Sequence, residues 1–196
     1  MLTPAPARFT TGLLLALPEL AEFTSPWRST SYAPDHPGLP IERRFPPHIT
    51  LLTPWASAQD DDAMSRLRSV AARHQPLDLM FADAEIFDGS QVVWLRPATD
   101  PALDALLADV LTTFAEFPPY EGAHPEPTLH LTVSADGDRV VLDQVRRALQ
   151  DRGPLRAPAT RLSVFARGED DVWSQTAAVP LGAQSQPAST AAATSR

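Results

Sequence analysis

His48-Ile49-Thr50-Leu51 and His130-Leu131-Thr132-Val133 are two copies of one pattern: histidine and threonine flanking an apolar residue, with a second apolar residue behind. Successive side chains of an extended strand point to opposite faces. Each copy therefore predicts a strand with histidine and threonine on one face and two apolar residues on the other. Ile49, Leu51, Leu131 and Val133 become candidate core residues. If the two strands meet, two imidazoles and two hydroxyls share one cleft, a constellation suited to phosphate chemistry. One His-x-Thr alone reads as an ordinary half-exposed strand; the second copy, with matching apolar positions, separates the pair from chance.

Outward from each copy the signals come in the same order. After His48, Asp60-Asp61-Asp62 announces a helix, since carboxylates suit a helix N-terminus, and Met64, Leu67, Val70 and Ala71 form its apolar side. Leu77 to Phe87 and Gln91 to Arg96 predict two strands joined at Asp88-Gly89, a hairpin dipeptide. After His130 a helix is predicted from about Gly137 to Arg152, with Val141, Val145, Ala148 and Leu149 on one side and Gly153-Pro154 as its stop. Arg161 to Arg167 and Val172 to Val179 then predict strands around Gly168-Glu169-Asp170. Ile86-Phe87 precedes Trp94 much as Val164-Phe165 precedes Trp173.

This parallel indicates an internal duplication of a strand–helix–strand–strand unit, residues 45–97 and 128–181, within a single bilobal domain spanning 1–182. Between the copies, Asp100-Pro101 opens a helix whose Leu103, Leu106, Leu107, Val110, Leu111 and Phe114 fall at helical spacing and read as core. Gly12 to Leu17 reads as a first strand; a secretion signal would need small residues where Pro18-Glu19 stands. Residues 24–47 carry Pro26, Pro34, Pro37, Pro40, Pro46 and Pro47, a long loop expected to wall the substrate site. Residues 183–196, rich in Ala, Ser, Thr and Gln, are expected to form a disordered tail.

Composition narrows the chemistry. The 196 residues suffice for one core or two small lobes, and 43 % hydrophobic with 20 % charged residues describes an ordinary globular protein. There is no cysteine, which excludes disulfides and thiolate metal sites. All sixteen basic residues are arginines, which excludes a Walker phosphate loop, Schiff-base catalysis and a lysyl-adenylate. The net charge of −8 argues against binding long or duplex nucleic acid, but not against a small basic pocket. No apolar run approaches the ~20 residues of a membrane span, so no membrane partner is expected. A cytoplasmic monomer is the accompanying expectation.

Displacement at a phosphodiester needs a base for the attacking oxygen and an acid for the departing one. Histidine suits both, with an unperturbed pKa of ~6.5. His48 and His130 are the candidate catalytic residues. Thr50 and Thr132 are candidates to donate hydrogen bonds to the phosphate oxygens where charge accumulates. Which histidine is base depends on substrate orientation and stays open. No metal or cofactor is required. Arg43 and Arg44, just before His48, are candidates for a phosphate pocket, against the reading of a solvated pair. Phe45, Tyr120 and Tyr32 are candidates to stack on a base, against loop packing. His74 ends a helix, where a structural role is expected. His36 and His124 lie in proline-rich loops with no metal-ligand spacing.

The paired motifs resemble those of the two-histidine (2H) phosphoesterases, and Pro46-Pro47-His48-Ile49-Thr50-Leu51-Leu52-Thr53-Pro54-Trp55 is similar to the first motif of bacterial 2′-5′ RNA ligase-like proteins, RNA 2′,3′-cyclic phosphodiesterases among them. The resemblance covers residues 11–182. It implies an α+β fold of two pseudo-symmetric lobes around a central cleft. It also implies hydrolysis of 2′,3′-cyclic or 2′-5′ phosphodiesters of RNA ends or small nucleotides, with a weak reverse ligation needing no ATP. His48, Thr50, His130 and Thr132 match the family positions. Relatives often carry proline before the second histidine, where this chain has Leu129. The rival expectation is a non-catalytic module holding a nucleotide or RNA end on the same fold; ADP-ribose cyclic phosphate and 2′-5′ oligonucleotides are alternative substrates.

Overall fold

The computed structural model describes residues 10–28, 45–168 and 172–182. Among these residues eight strands form one antiparallel sheet: β1 (Thr11–Ala16), β2 (His48–Leu52), β3 (Leu77–Ile86), β4 (Val93–Pro97), β5 (Leu131–Ser134), β6 (Leu155–Ala159), β7 (Arg161–Arg167) and β8 (Trp173–Pro180), in the order β6-β3-β4-β5-β2-β1-β7-β8. The described residues also form a short α-helix α1 (Ala21–Thr24) and three longer ones, α2 (Asp61–Arg73), α3 (Pro101–Thr113) and α4 (Arg139–Arg152).

The motif strands β2 and β5 lie at the centre and share a single bridge, Ile49 to Leu131. Three strands extend beyond each, so each half of the sheet holds four strands and one motif. The chain exchanges its hairpins between halves. The β3–β4 hairpin, which follows the first motif in sequence, pairs with β5 of the second. The β7–β8 hairpin, which follows the second motif, joins the half of the first through β1.

Alternation along the strands sorts the two faces. Leu13, Leu15, Ile49, Leu51, Leu79, Phe81, Val93, Leu95, Leu131, Val133, Leu162 and Val164 point into one apolar core. Helices α2, α3 and α4 cover that face with Leu67 and Val70, Leu103 and Leu106, and Val145 and Leu149. The opposite face carries both motif histidines.

Each long helix starts where an aspartate caps it, and helix starts favour such side chains. Asp60 accepts from the Ala63 N–H (3.0 Å), Asp100 from Ala102 (2.9 Å) and Asp138 from Val141 (2.9 Å). Helix α4 begins after Gly137, two residues later than expected. Gly137 instead donates its N–H to the Gln91 carbonyl (2.7 Å), and a Cβ there would come within 2.7 Å of Val93 Cγ2. The turn thus packs its backbone onto the β3–β4 hairpin.

Strand β6 was hidden by Pro154 and Pro158. It pairs with β3 at the outer edge of the sheet, where a missing N–H costs no ladder bond, and its residues alternate between buried and exposed. Among the described residues no helix is long and apolar enough to cross a membrane.

Candidate active site

The site grows from the central bridge. Ile49 and Leu131 pair with their side chains fully buried in the core. Stepping one residue along the antiparallel register sets His48 opposite Thr132 and Thr50 opposite His130, all on the other face. Directly opposed residues lie about 4.5–5.5 Å apart, while residues two apart on one strand are about 6.6–6.8 Å apart. Each histidine therefore has the threonine of the other motif as its nearer companion, a relation invisible from either motif alone. The two histidines stand on the diagonal, about 7–8 Å apart in a regular pair, room for one phosphoryl group.

Both imidazoles are held the same way. His48 Nδ1 lies 2.8 Å from the carbonyl of Pro46, and His130 Nδ1 lies 2.7 Å from that of Thr128. A carbonyl only accepts, so Nδ1 carries the proton and donates it. That leaves Nε2, in each neutral ring, as the nitrogen able to take a proton.

The two differ in environment. His48 is 7 % exposed, and its pKa falls from 6.5 to about 4. Burial is the main cause, with smaller contributions from the Arg28 and His130 charges, opposed by the Pro46 carbonyl. His130 is half-buried and its pKa is also lowered by desolvation, opposed by the Thr128 carbonyl. At neutral pH both imidazoles are thus neutral.

Aromatic rings flank both, and the hairpin exchange decides which. Phe45 packs on His48 (centroids 4.3 Å apart) and stacks on Trp173 of β8 (5.2 Å), with Phe165 of β7 edge-on (5.0 Å). Against His130 stand Phe87 (5.0 Å) and Trp94 (5.9 Å), stacked on one another at 4.8 Å. His130 thus meets the aromatic pair that follows the first motif in sequence, and the pair that follows the second motif backs the Phe45 that packs on His48. Arg28 donates to the Phe45 carbonyl, one residue from the carbonyl that orients His48.

Of the other expected site residues, Phe45 is buried as support for His48. Tyr120 is half-buried in the Pro119–Gly122 turn, its ring against His124 (5.2 Å) and its N–H donated to the Thr53 carbonyl (2.6 Å), one residue beyond β2. Arg43, Arg44, Tyr32 and His36 lie outside the described residues, as does the expected tail at 183–196. His74 caps α2 and meets Asp109 of α3 (2.8 Å) away from the motif strands. Among the described residues no group of three or more His, Asp or Glu side chains is placed to hold a metal ion. Sequence reasoning missed Arg28 beside His48, Phe87 and Trp94 beside His130, and Trp173 behind Phe45. The repeated Phe-to-Trp spacing was their signal, but its meaning depends on which strands pair.

Solved structures share this architecture. E. coli LigT, crystallised with 3′-AMP, matches with a TM-score of 0.58 at 19 % identity, over 88 % of this chain and 98 % of that one. The crystal structure of a phosphoesterase gives 0.57 at 20 % identity, and TT0787 of Thermus thermophilus gives 0.56 at 13 %, each over 88 % of this chain and 98 % of the other. No curated protein sequence matches the chain. The family model described as the 2′-5′ RNA ligase superfamily matches residues 17–171. That span holds both His-x-Thr strands, the bridge between them and the rings of Phe45, Phe87, Trp94 and Phe165, and the chain belongs to this superfamily of 2H phosphoesterases.

Proposed function

We propose that the chain is a metal-independent phosphodiesterase opening 2′,3′-cyclic phosphates, or cleaving 2′-5′ linkages, at RNA ends or in small nucleotides. The observation that carries this reading is the pair of neutral imidazoles, each locked through Nδ1, with two threonines at opposite corners of one bridge. His48, the more buried and more strongly depressed, acts as base: its Nε2 takes a proton from water as the oxygen attacks phosphorus. His130 acts as acid. The anionic phosphate attracts a proton to it, and its Nε2–H protonates the ribose oxygen as the P–O bond breaks. Thr50 and Thr132 donate to the non-bridging oxygens. The product is a phosphomonoester, and proton exchange with water restores both rings.

Small nucleotides fit this reading. Crystal structures of E. coli LigT are complexes with 3′-AMP, NADP+ and ATP. The net charge of −8 also favours a small or terminal substrate over long nucleic acid. Attack by a ribose hydroxyl in place of water would join ends through a 2′-5′ bond without ATP. The test is an RNA oligomer ending in a 2′,3′-cyclic phosphate, incubated with EDTA. Ring opening to one monophosphate isomer is expected. Binding that protects the ring from opening would replace the enzyme with a binding module.

A further inference from the structure

Of the three rings that meet the histidines, Phe45, Phe87 and Trp94, Phe87 is the least buried. Phe45 and Phe165 are buried together in a second apolar cluster with Leu14, and Trp94 is 3 % exposed. Phe87 is half-buried and belongs to neither apolar cluster. Its backbone is nevertheless pinned by the hairpin turn. The Phe87 N–H donates to the Val92 carbonyl (3.2 Å), and its own carbonyl accepts from the N–H and Oγ–H of Ser90 (3.1 Å each).

The centroid distances orient the ring. One face of Phe87 lies on Trp94, 4.8 Å away and only 22° from parallel. Were His130 on the other face, its distance from Trp94 would approach twice that spacing; it is 5.9 Å, with His130 5.0 Å from Phe87 and nearly perpendicular to it. His130 therefore stands beside the stack. The face of Phe87 turned from Trp94 borders the imidazole, on a residue that is pinned by its backbone and partly exposed.

Resting on the phosphodiesterase reading, we propose that this face of Phe87, backed by Trp94, seats the nucleobase of the nucleotide whose phosphate lies between His48 and His130. A base at the ~4.5–7 Å spacing of aromatic pairs would lie one ribose away from the phosphate. Stacking reads the face of a base and not its edges, so the site accepts any nucleoside and discriminates against cyclic phosphates that carry no base.

The test compares adenosine 2′,3′-cyclic phosphate with a base-free ribose 2,3-cyclic phosphate, for wild type, Phe87→Ala, Phe87→Leu and Phe87→Tyr. The ratio of kcat/KM for the two substrates should fall about 5- to 150-fold in the Ala and Leu variants and recover in Tyr. Equal losses on both substrates, or an unchanged ratio, would overturn the proposal. Equilibrium dialysis of 3′-AMP against ribose 3-phosphate reads the same preference without turnover. A wild type inert in catalysis but losing its preference for 3′-AMP in Phe87→Ala would reject the enzyme and keep the stacking seat. No preference in wild type would reject the seat.

Discussion

Substituting glutamine for His48 removes a ring whose proton affinity folding lowers, and the consequence is a measurable change in acid stability. In the unfolded chain this histidine titrates near ~6.5; in the fold it does so at about 4. Above the unfolded value both states hold a neutral ring and burial of charge costs nothing. As pH falls through the window from 6.5 to 4 the unfolded chain takes up the proton first, so stability is lost with falling pH. At ~1.4 kcal/mol per pH unit the loss reaches about 3 kcal/mol near the folded pKa. Other groups titrate in acid as well. His130 shifts in the same direction, and Asp109 and Glu116 are held below their ordinary range mainly by hydrogen bonds from Arg73 and Arg66. Those groups remain in the variant, so the difference between the two proteins isolates His48. Urea unfolding followed by tryptophan fluorescence at about pH 7, 6, 5 and 4 should show wild type losing about 3 kcal/mol relative to His48→Gln. Parallel stability curves would refute the argument that His48 is held neutral by its burial.

Other expectations follow from the same geometry. His130→Ala should lose about 10²–10⁴-fold on a nucleotide with a ribose leaving group but far less on a p-nitrophenyl ester, whose leaving oxygen needs no proton; His48→Ala should not be rescued that way. The opposite pattern would exchange the two roles. Thr132→Val should lower kcat about 10²-fold with KM changed much less, as loss of a transition-state donor requires; a pure KM effect would make this threonine a ground-state contact. Asp109→Asn should weaken the clamp between α2 and α3 by about 1 kcal/mol or less and leave kcat/KM unchanged, since Arg73 and His74 meet it far from the bridge. Leu67→Ala, at a fully buried α2 position, should cost about 2–5 kcal/mol in chemical denaturation.

Much of this arrangement was legible in the chain because the signals were local. Asp60 and Asp100 mark the starts of α2 and α3, and apolar spacing marked the buried faces of both. The alternation in His48-Ile49-Thr50-Leu51 placed the histidine on the face away from the core. Pairing was not legible, because it depends on contacts between distant segments. The hairpin after each motif crosses to the other half, so Phe87 and Trp94 meet His130 and Trp173 meets the Phe45 that supports His48. For the same reason Phe45, read as a base-stacking candidate, lies buried behind the histidine. Pro158 concealed β6 because proline is compatible with a strand only at an edge, and edges are known only once the sheet is assembled.

The central claim is that His48 and His130 act together in one displacement. Single-turnover opening of adenosine 2′,3′-cyclic phosphate in EDTA, measured for wild type, His48→Ala, His130→Ala and the double variant, tests it directly. Each single variant should lose about a hundredfold or more, and the double variant little beyond the worse single, because groups serving one step are not additive. A wild type unable to open the ring, a single variant retaining its rate, or losses that multiply in the double variant would contradict it.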